Sequence, residues 1–296
     1  MADDVSTWEV DPNDLELLDL IGTGCTAEVY RGMLNGREVA VKQMDWDKTV
    51  LGMKEALAFD REVAIMPRIC HEHLVKFIGM TSLQRPCRIV TEFCSGGCCF
   101  ELLHNCEDIE LEWSQQGKMC LDVALAMDYL HQFNPMVIHR DLKSLNLLLA
   151  RPVLSGGDIP VVKVSDFGLS RMRSQAAADG GKMTALAGTH HWMAPEVFIG
   201  GEYNEKVDVY SYAMVLFEII CREIPFEDHE AVSVGKLIAA GERPDMESVP
   251  PDCPRTLRDL MVACWVQDPK QRPPFDRIVP ILRHEVKDPR GRPLVP

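Results

Sequence analysis

The hydrophobic pattern of this sequence changes from mainly strand-like to mainly helical at residues 94–97, and this change limits the possible folds more than any other feature. Before it, short apolar stretches separated by turn residues predict strands at 15–22, 28–34, 38–44 and 88–93. Asn35-Gly36 marks a tight hairpin between the second and third strands. We therefore expect a small antiparallel sheet, with one helix over about 51–66 packed on it.

After this change, apolar residues recur at helical spacing. One helix, expected to begin near Ser114, has an apolar face formed by Met119, Val123, Met127 and Leu130. Small and turn residues predict loops at 155–158, 176–181 and 200–201. The sequence thus predicts an α+β chain with an N-terminal extension at 1–14, a sheet-containing lobe at 15–93, a hinge at 94–97, a mainly helical lobe at 98–287 and a tail at 288–296.

Charge and apolar content argue against several classes of protein. Lys and Arg total 31 against 45 Asp and Glu, and the net charge of −14 argues against binding to nucleic acid. Residues 1–10 have acids where a signal peptide needs basic and apolar residues, and the most apolar stretch, 210–221, is too short to span a bilayer. We therefore expect no membrane insertion and a cytoplasmic location, with the nucleus as the alternative. The 11 cysteines are expected to be free thiols in such a reducing compartment.

Two groups of residues that often bind metals have simpler interpretations. Cys94, Cys98 and Cys99 come close together, but no second Cys or His pair follows at zinc-finger spacing. His190 and His191 are adjacent, and adjacent side chains on a loop more often face apart than share a metal. Metal binding by either group is therefore the weaker alternative.

A nucleotide site is indicated by the turn Gly22-Thr23-Gly24 and the strand that follows it. Two glycines let backbone N–H groups approach a phosphate closely, although such a turn alone is more often an ordinary hairpin. Lys42 lies on the third predicted strand below this turn, and Glu62 on the predicted helix is its candidate carboxylate partner. Without such a partner, a lysine on a strand is normally a solvated side chain.

The strongest signal is His-Arg-Asp-Leu-Lys-Ser-Leu-Asn at 139–146, followed by Asp166-Phe167-Gly168 and Ala194-Pro195-Glu196. Their order, residue types and spacing resemble the protein kinase signature set. The resemblance covers about residues 8–286 and implies the bilobal α+β protein kinase fold. The stretches 8–10, 192–196 and 208–212 are most similar to the tyrosine-kinase-like group, which includes Raf-like and mixed-lineage kinases.

The resemblance implies an enzyme that uses ATP and Mg²⁺ to phosphorylate Ser or Thr hydroxyls of protein substrates in signal transduction. Lys143, two residues after Asp141, and Thr189 are the residue types that serine/threonine kinases have at these places, and dual specificity is the alternative. A pseudokinase, an interaction module without turnover, is the rival from another class. Only Ala27, where the family has a third glycine, favours that rival.

The resemblance also implies a role for each site residue. Asp141 would accept the substrate proton, Lys143 would neutralise the γ-phosphate, and Lys42, held by Glu62, would bind the α- and β-phosphates. The implied ligands of Mg²⁺ are Asn146 and Asp166. The implied ATP-binding residues are Ile21, Gly22, Gly24, Val29, Ala40, Lys42, Thr91, Glu92, Cys94 and Leu148.

Two further expectations concern the large lobe. Thr184 is the first candidate for an activating phosphorylation, with Ser174 second, because Arg140 can bind a phosphate bidentately. An upstream kinase or another copy of this chain would supply that phosphate, and the alternative is that Thr184 is only a solvated loop residue. The interval from Asp141 to Asp166 is also longer than the family leads us to expect, which predicts a surface extension within 151–160.

Overall fold

Five antiparallel strands form the core of the small lobe, in the order β1-β2-β3-β5-β4. The computed structural model describes residues 5–23, 27–44, 50–83, 85–172 and 190–285. The strands of this sheet are β1 Leu15–Thr23, β2 Glu28–Leu34, β3 Arg37–Met44, β4 Phe77–Thr81 and β5 Cys87–Glu92. Asn35 and Gly36 both have positive φ in the β2–β3 turn, which confirms the predicted hairpin.

The sequence analysis missed strand β4, so the prediction of four strands was wrong. Its centre is Gly79, which weakens a strand pattern because it adds no side chain to either face. The structure gives the reason for this glycine. A Cβ there would lie 2.5 Å from Val10 Cγ2 and 2.8 Å from the Trp8 carbonyl oxygen. Residues 8–10 run beside β4 and parallel to it, and the Val10 amide donates to the Met80 carbonyl at 2.8 Å.

Helix α1, Val50–Ile65, packs on the sheet, within one residue of the predicted bounds. Its Phe59 is buried with Met44 of β3 and Ile89 of β5 in one apolar cluster. Burial of these side chains is the main force that holds the helix against the sheet. The packed face of α1 also contains Glu62, a buried carboxylate.

The large lobe is mainly helical. Its helices are α2 Trp113–Gln132, α3 Pro195–Phe198, α4 Lys206–Cys221, α5 Ala231–Ala240, α6 Arg255–Cys264 and α7 Phe275–Glu285. Its short strands are β6 Val137–Ile138, β7 Leu147–Leu149, β8 Val162–Val164 and β9 Arg171–Met172. A sheet lobe followed by a helical lobe confirms the predicted α+β bilobal fold.

Helix α4 is the buried centre of the large lobe. Its residues from Val207 to Ile220 are all buried, as its apolar sequence predicts. Helix α2 begins one residue before the expected Ser114, at a capping box in which Glu112 and Gln115 satisfy each other's backbone amides. No helix in the described ranges is both long enough and apolar enough to cross a bilayer.

Candidate active site

A lysine and two carboxylates from separate parts of the chain meet between the lobes. Strand β3 provides Lys42, helix α1 provides Glu62, and the segment after β8 provides Asp166. Lys42 Nζ lies 2.5 Å from Glu62 Oε1 and 3.0 Å from Asp166 Oδ1. The structure therefore brings together the predicted lysine–carboxylate pair and the first predicted metal ligand.

Electrostatics set the charges of Lys42 and Asp166, whereas burial raises the pKa of Glu62 to about 8. Burial alone lowers the pKa of Lys42, but Asp166 and Glu62 outweigh it and raise that pKa above its ordinary value. Burial likewise opposes ionisation of Asp166, yet the charge of Lys42 holds the pKa of this carboxyl well below its usual range. Lys42 is thus a cation and Asp166 an anion at neutral pH, as phosphate and metal binding require.

The backbone around Asp166 is shaped for this contact. Asp166 has φ of 60°, a left-handed conformation that is uncommon for a residue with a side chain. At Gly168, a Cβ would lie 3.3 Å from both Asp166 Oδ1 and Glu62 Oε1. Glycine at 168 therefore lets the chain pass beside both carboxylates, and its amide donates to Asp166 Oδ1 at 3.2 Å.

The loop after β6 holds a third carboxylate, Asp141. Lys143 Nζ lies 2.9 Å from Asp141 Oδ2, and the Asn146 side-chain amide donates to the same oxygen at 2.9 Å. That amide also donates to the Asp141 carbonyl at 2.8 Å, which closes the loop on itself. Burial raises the pKa of Asp141, and Lys143 opposes that rise. Asp141 is thus a buried carboxylate that its neighbours hold in one orientation.

Asp208 of α4 braces this loop from below. Its carboxylate accepts from the His139 amide at 2.9 Å and from the Arg140 amide at 2.7 Å, and it lies 2.8 Å from His131 Nε2. Arg140 has φ of 72°, so the two amides converge on one carboxylate only through a strained backbone. The ring of His139 contacts Phe167 at a centroid distance of 5.3 Å, which joins the Asp141 and Asp166 segments.

Sequence analysis missed a second buried carboxylate, Glu218. Its Oε2 accepts from Trp192 Nε1 at 2.6 Å, and its Oε1 accepts from the hydroxyl of Ser144 and lies 3.3 Å from His104 Nε2. Glu218 is fully buried in α4 and therefore links the catalytic loop to the segment before α3. A charge in the middle of the most apolar stretch of the sequence was the available signal.

The residues expected to bind ATP come from both lobes. Ala40 pairs with Thr91 across β3 and β5, and Val29 pairs with Lys42 across β2 and β3. From the large lobe, Leu148 of β7 forms a bridge to Cys98, just beyond the predicted hinge. Val29, Ala40, Thr91, Glu92 and Leu148 are half-buried, whereas Ile21 is 47% exposed.

At the predicted hinge, the Cys94 side chain is neutral and the Glu92 side chain is paired within the chain. Burial raises the pKa of the Cys94 thiol to about 11, so its side chain stays neutral. The carboxylate of Glu92 accepts from the Lys76 amide at 2.8 Å and pairs with Lys163 of β8 at 2.9 Å. This Glu92–Lys163 pair joins the lobes behind the hinge and was not predicted.

Several predicted residues cannot be placed in the site. Gly24, Ser174, Thr184 and Thr189 lie outside the described residues. Gly22 is described, and it pairs with Val29 across β1 and β2. The described residues contain no group of three or more His, Cys, Asp or Glu side chains that could hold a metal ion. The cysteine and histidine groups noted in the sequence therefore give no metal site in that part of the chain.

Comparisons with known proteins agree with this geometry. The family model of protein tyrosine and serine/threonine kinases matches residues 15–282. The probable serine/threonine-protein kinase drkD of Dictyostelium discoideum is 38% identical over 282 residues, which are 95% of this chain and 20% of the relative. The serine/threonine-protein kinase STY17 of Arabidopsis thaliana is 35% identical over 289 residues, which are 97% of this chain and 47% of the relative.

A third relative extends the comparison. The serine/threonine-protein kinase VIK of Arabidopsis thaliana is 36% identical over 275 residues, which are 90% of this chain and 60% of the relative. The chain thus spans less than two thirds of the length of each of these relatives. The family match covers both lobes and every described residue of the candidate site. On these grounds the chain belongs to the protein tyrosine and serine/threonine kinase family.

Proposed function

We propose that this chain is an active protein kinase that uses ATP and Mg²⁺ to phosphorylate Ser and Thr hydroxyls of protein substrates, in signal transduction in the cytoplasm. One observation carries the proposal. The Lys42–Glu62 pair is formed while Asp166 and Asp141 are both held by hydrogen bonds on the facing side of the cleft. A pseudokinase has no need of all these groups together.

Positioning and charge neutralisation explain how these residues would act. The transferred phosphoryl group spreads negative charge over three oxygens and must lie in line with the attacking hydroxyl. Lys42 would bind the α- and β-phosphates, with its direction fixed by Glu62. Asp141 would orient the substrate hydroxyl and accept its proton, and Lys143, 2.9 Å away, would stabilise charge on the γ-phosphate.

The chemistry of the oxygen donors at Asp166 and Asn146 fits Mg²⁺. Lys42 and the Gly168 amide both use Asp166 Oδ1, which leaves Oδ2 for a cation. The side-chain nitrogen of Asn146 donates to Asp141, which leaves its amide oxygen as the second ligand. Mg²⁺ prefers a few hard oxygen ligands and fills its other positions with water and phosphate. When bound, it would neutralise phosphate charge.

Acceptor choice follows from Lys143, the residue type that serine/threonine kinases have next to the proton acceptor. The relative shkC of Dictyostelium discoideum is named a dual specificity protein kinase, at 35% identity over 285 residues. We therefore expect phosphoserine and phosphothreonine to dominate the products on a mixed protein substrate. Phosphoamino-acid analysis that returns mainly phosphotyrosine would contradict this part of the proposal.

Phosphorylation of Thr184 is proposed to activate the enzyme through Arg140. The Arg140 side chain is 8% exposed and stacks on the Tyr203 ring at 5.4 Å, but its Nε and Nη1 have no hydrogen-bond partner among the described residues. Burial lowers its pKa to about 10, so it remains a cation, and no carboxylate of the described residues forms an ion pair with its side chain. Thr184→Ala should stay at basal activity after incubation with ATP and Mg²⁺. Mass spectrometry that finds Thr184 unmodified in fully active enzyme would make Ser174 the next candidate.

The decisive experiment measures phosphate incorporation into a generic protein substrate. Asp141→Asn should lower turnover by about 10²–10⁴ while thermal stabilisation by ATP and Mg²⁺ is kept, because only the proton acceptor is lost. Lys42→Met should abolish activity, whereas the matched control Lys236→Met, on an exposed position of α5, should not change it. Stabilisation by ATP without turnover in the wild type would favour the pseudokinase instead.

A further inference from the structure

The last turn of helix α4 holds a segment that lies on the hinge side of the nucleotide cleft. We call residues 98–109 the hinge-side segment. It begins directly after the predicted hinge and contains the short helical turn Glu101–Asn105. None of the predicted ATP-binding residues lies in this segment. Any influence of the segment on the candidate site must therefore come from its position.

Arg222 follows α4 in a backbone conformation that an arginine seldom adopts. Its φ is 55° and its ψ is 34°, and its amide donates to the Glu218 carbonyl at 2.9 Å. Glycine is the usual residue at a helix end of this kind, because a side chain makes the left-handed conformation unfavourable. An arginine at this position keeps that cost, which indicates that its side chain makes a contribution that glycine lacks.

The guanidinium of Arg222 binds backbone carbonyls of the hinge-side segment. Nε donates to the Leu103 carbonyl at 3.0 Å, and Nη1 donates to the Ile109 carbonyl at 2.5 Å. Nη2 donates to the carbonyls of Leu102 and Cys106, both at 2.8 Å. The last carbonyls of a helical turn have no partner within it, and a cation at this end is favourable. One side chain thus fixes the backbone of the segment at several points.

A second contact from α4 holds the middle of the same segment. Glu218 Oε1 lies 3.3 Å from His104 Nε2, and the Phe100 ring packs on the His104 ring at a centroid distance of 4.6 Å. Glu218 and Arg222 are one helical turn apart, so both contacts start from the same end of α4. The end of α4 therefore sets the position of the hinge-side segment.

At its other end, the hinge-side segment continues from a tightly packed hinge. The Gly96 amide donates to the Leu149 carbonyl at 3.0 Å, and a Cβ on Gly96 would lie 2.3 Å from the Arg151 carbonyl oxygen. Cys98 then forms a bridge to Leu148, a residue expected to bind ATP. Because this packing leaves no gap, a shift of the segment would displace the wall of the cleft at Leu148.

We propose that Arg222 is a positioning residue for nucleotide binding, which holds the hinge-side segment so that residues 96–98 and Leu148 form one wall of the nucleoside pocket. This inference rests on the proposed use of ATP. Loss of the guanidinium would let the segment move away from α4 and widen the cleft beside the hinge. Lys42 and Asp166, 3.0 Å apart at the phosphate end, would keep their contact. The effect should therefore fall on nucleoside affinity and leave phosphoryl transfer intact.

The first test measures binding and needs no turnover, so its failure is distinguishable from failure of the proposed kinase activity. The probes are adenosine and Mg²⁺–ADP, titrated into the full chain by calorimetry. Arg222→Met should raise both dissociation constants by the same factor, about tenfold, because small displacements of a binding wall have effects of this size. The matched control Arg277→Met removes an exposed arginine of α7 and should bind like the wild type. Equal dissociation constants for Arg222→Met and the wild type would overturn the proposal.

The second test separates position from overall stability. Glycine adopts positive φ without strain, so Arg222→Gly should unfold at a higher urea concentration than Arg222→Met. Both variants lack the guanidinium and should raise the dissociation constant of adenosine equally. If the dissociation constant instead follows the midpoint of urea unfolding, Arg222 acts only through stability, and the proposal is wrong.

Steady-state kinetics makes the same distinction in the working enzyme. For Arg222→Met, the KM for ATP should rise about tenfold, while kcat at saturating ATP stays within about twofold of the wild type. Arg222→Lys keeps the cation but loses the fork of donors, so its KM should lie between those of the wild type and Arg222→Met. A kcat that falls as much as the KM rises would show that the catalytic loop is disturbed instead, and this result would also overturn the proposal. Adenosine binding without turnover in the wild type would contradict the proposed kinase activity alone.

Discussion

Replacement of Glu218 tests whether a buried carboxylate organises the catalytic loop. Glu218→Met removes the acceptor for Trp192 Nε1, 2.6 Å away, and for the Ser144 hydroxyl, at nearly constant volume. An indole N–H can only donate, so it stays buried without a partner, at a cost of about 1–3 kcal/mol. A lost hydrogen bond to a charged group is worth about 1.5–3 kcal/mol more. We expect the free energy of unfolding to fall by about 3–5 kcal/mol, of a total of about 5–15.

Glu218→Gln is the discriminating variant. Its amide oxygen can accept from Trp192 while its NH₂ group donates to the Ser144 oxygen, so only the help of the charge is lost. We expect the free energy of unfolding of Glu218→Gln to fall by about 1–2 kcal/mol, since neutral hydrogen bonds are weaker than charge-assisted ones. Urea unfolding gives both values, and the exposed Glu223→Met is the matched control, with little change expected.

Activity should follow the same order. Ser144 begins the helical turn that ends at Asn146, so its release should disturb the orientation of Asn146 and Asp141. We expect kcat to fall more for Glu218→Met than for Glu218→Gln, with a smaller effect on the KM for ATP. The reasoning is refuted if the Met and Gln variants are equally stable, because the hydrogen bonds would then contribute nothing.

Three other perturbations have defined outcomes. Burial lowers the pKa of His73 to about 4, so below pH 6.5 the unfolded chain takes up a proton that the folded chain refuses, and stability falls as the pH falls towards 4. Between pH 6.5 and 4, the free energy of unfolding of His73→Asn should fall by up to about 3 kcal/mol less than that of the wild type, as measured by urea unfolding. The exposed control His229→Asn should follow the wild type. Equal pH slopes for His73→Asn and the wild type would contradict this prediction. Arg272→Lys should lower the free energy of unfolding by about 2–4 kcal/mol, because the bidentate pair with Glu196, at 2.7 and 2.9 Å, becomes a single contact. An unchanged midpoint of urea unfolding would contradict this prediction. Gly168→Ala should raise the KM for ATP about tenfold by displacing the two carboxylates beside it. Gly157→Ala should leave this KM unchanged, because a Cβ there would meet only Ser155 Oγ at 3.7 Å, and equal KM values for the two variants would contradict this prediction.

The sequence predicted most of the fold because its apolar patterns are local. Strands β2 and β3 and their Asn35-Gly36 turn were found within a residue, and α1 and α2 began within one residue of their predicted starts. Strand β4 escaped because its central Gly79 serves a contact with residues 8–10, which no local pattern reveals. Long-range packing therefore decided the strand of the small lobe that was missed.

In the candidate site, too, local sequence patterns were predictable and long-range contacts were not. Lys42, Glu62, Asp141 and Asp166 were identified in advance because their spacing along the chain is itself the signature. Some partners that hold the site in place, Glu218 and Lys163 among them, were not identified, since they meet their neighbours only in three dimensions. Lys163 and Glu92, for example, are 71 positions apart and pair at 2.9 Å. Nothing in the local pattern of either residue indicates the other.

The N-terminal segment also has a consequence for aggregation. Strand β4 ends the sheet, and an uncovered edge strand is a template on which another chain can pair. Val10 occupies this edge through the Met80 carbonyl, and the Glu9 carboxylate accepts from the amides of Ser82 at 2.8 Å and Leu83 at 3.1 Å. A shortened chain that begins at Leu15 would expose these groups together with Phe77, the ring on which Trp8 packs at 5.5 Å. Such a chain should form intermolecular β-structure at concentrations at which the longer chain stays monodisperse.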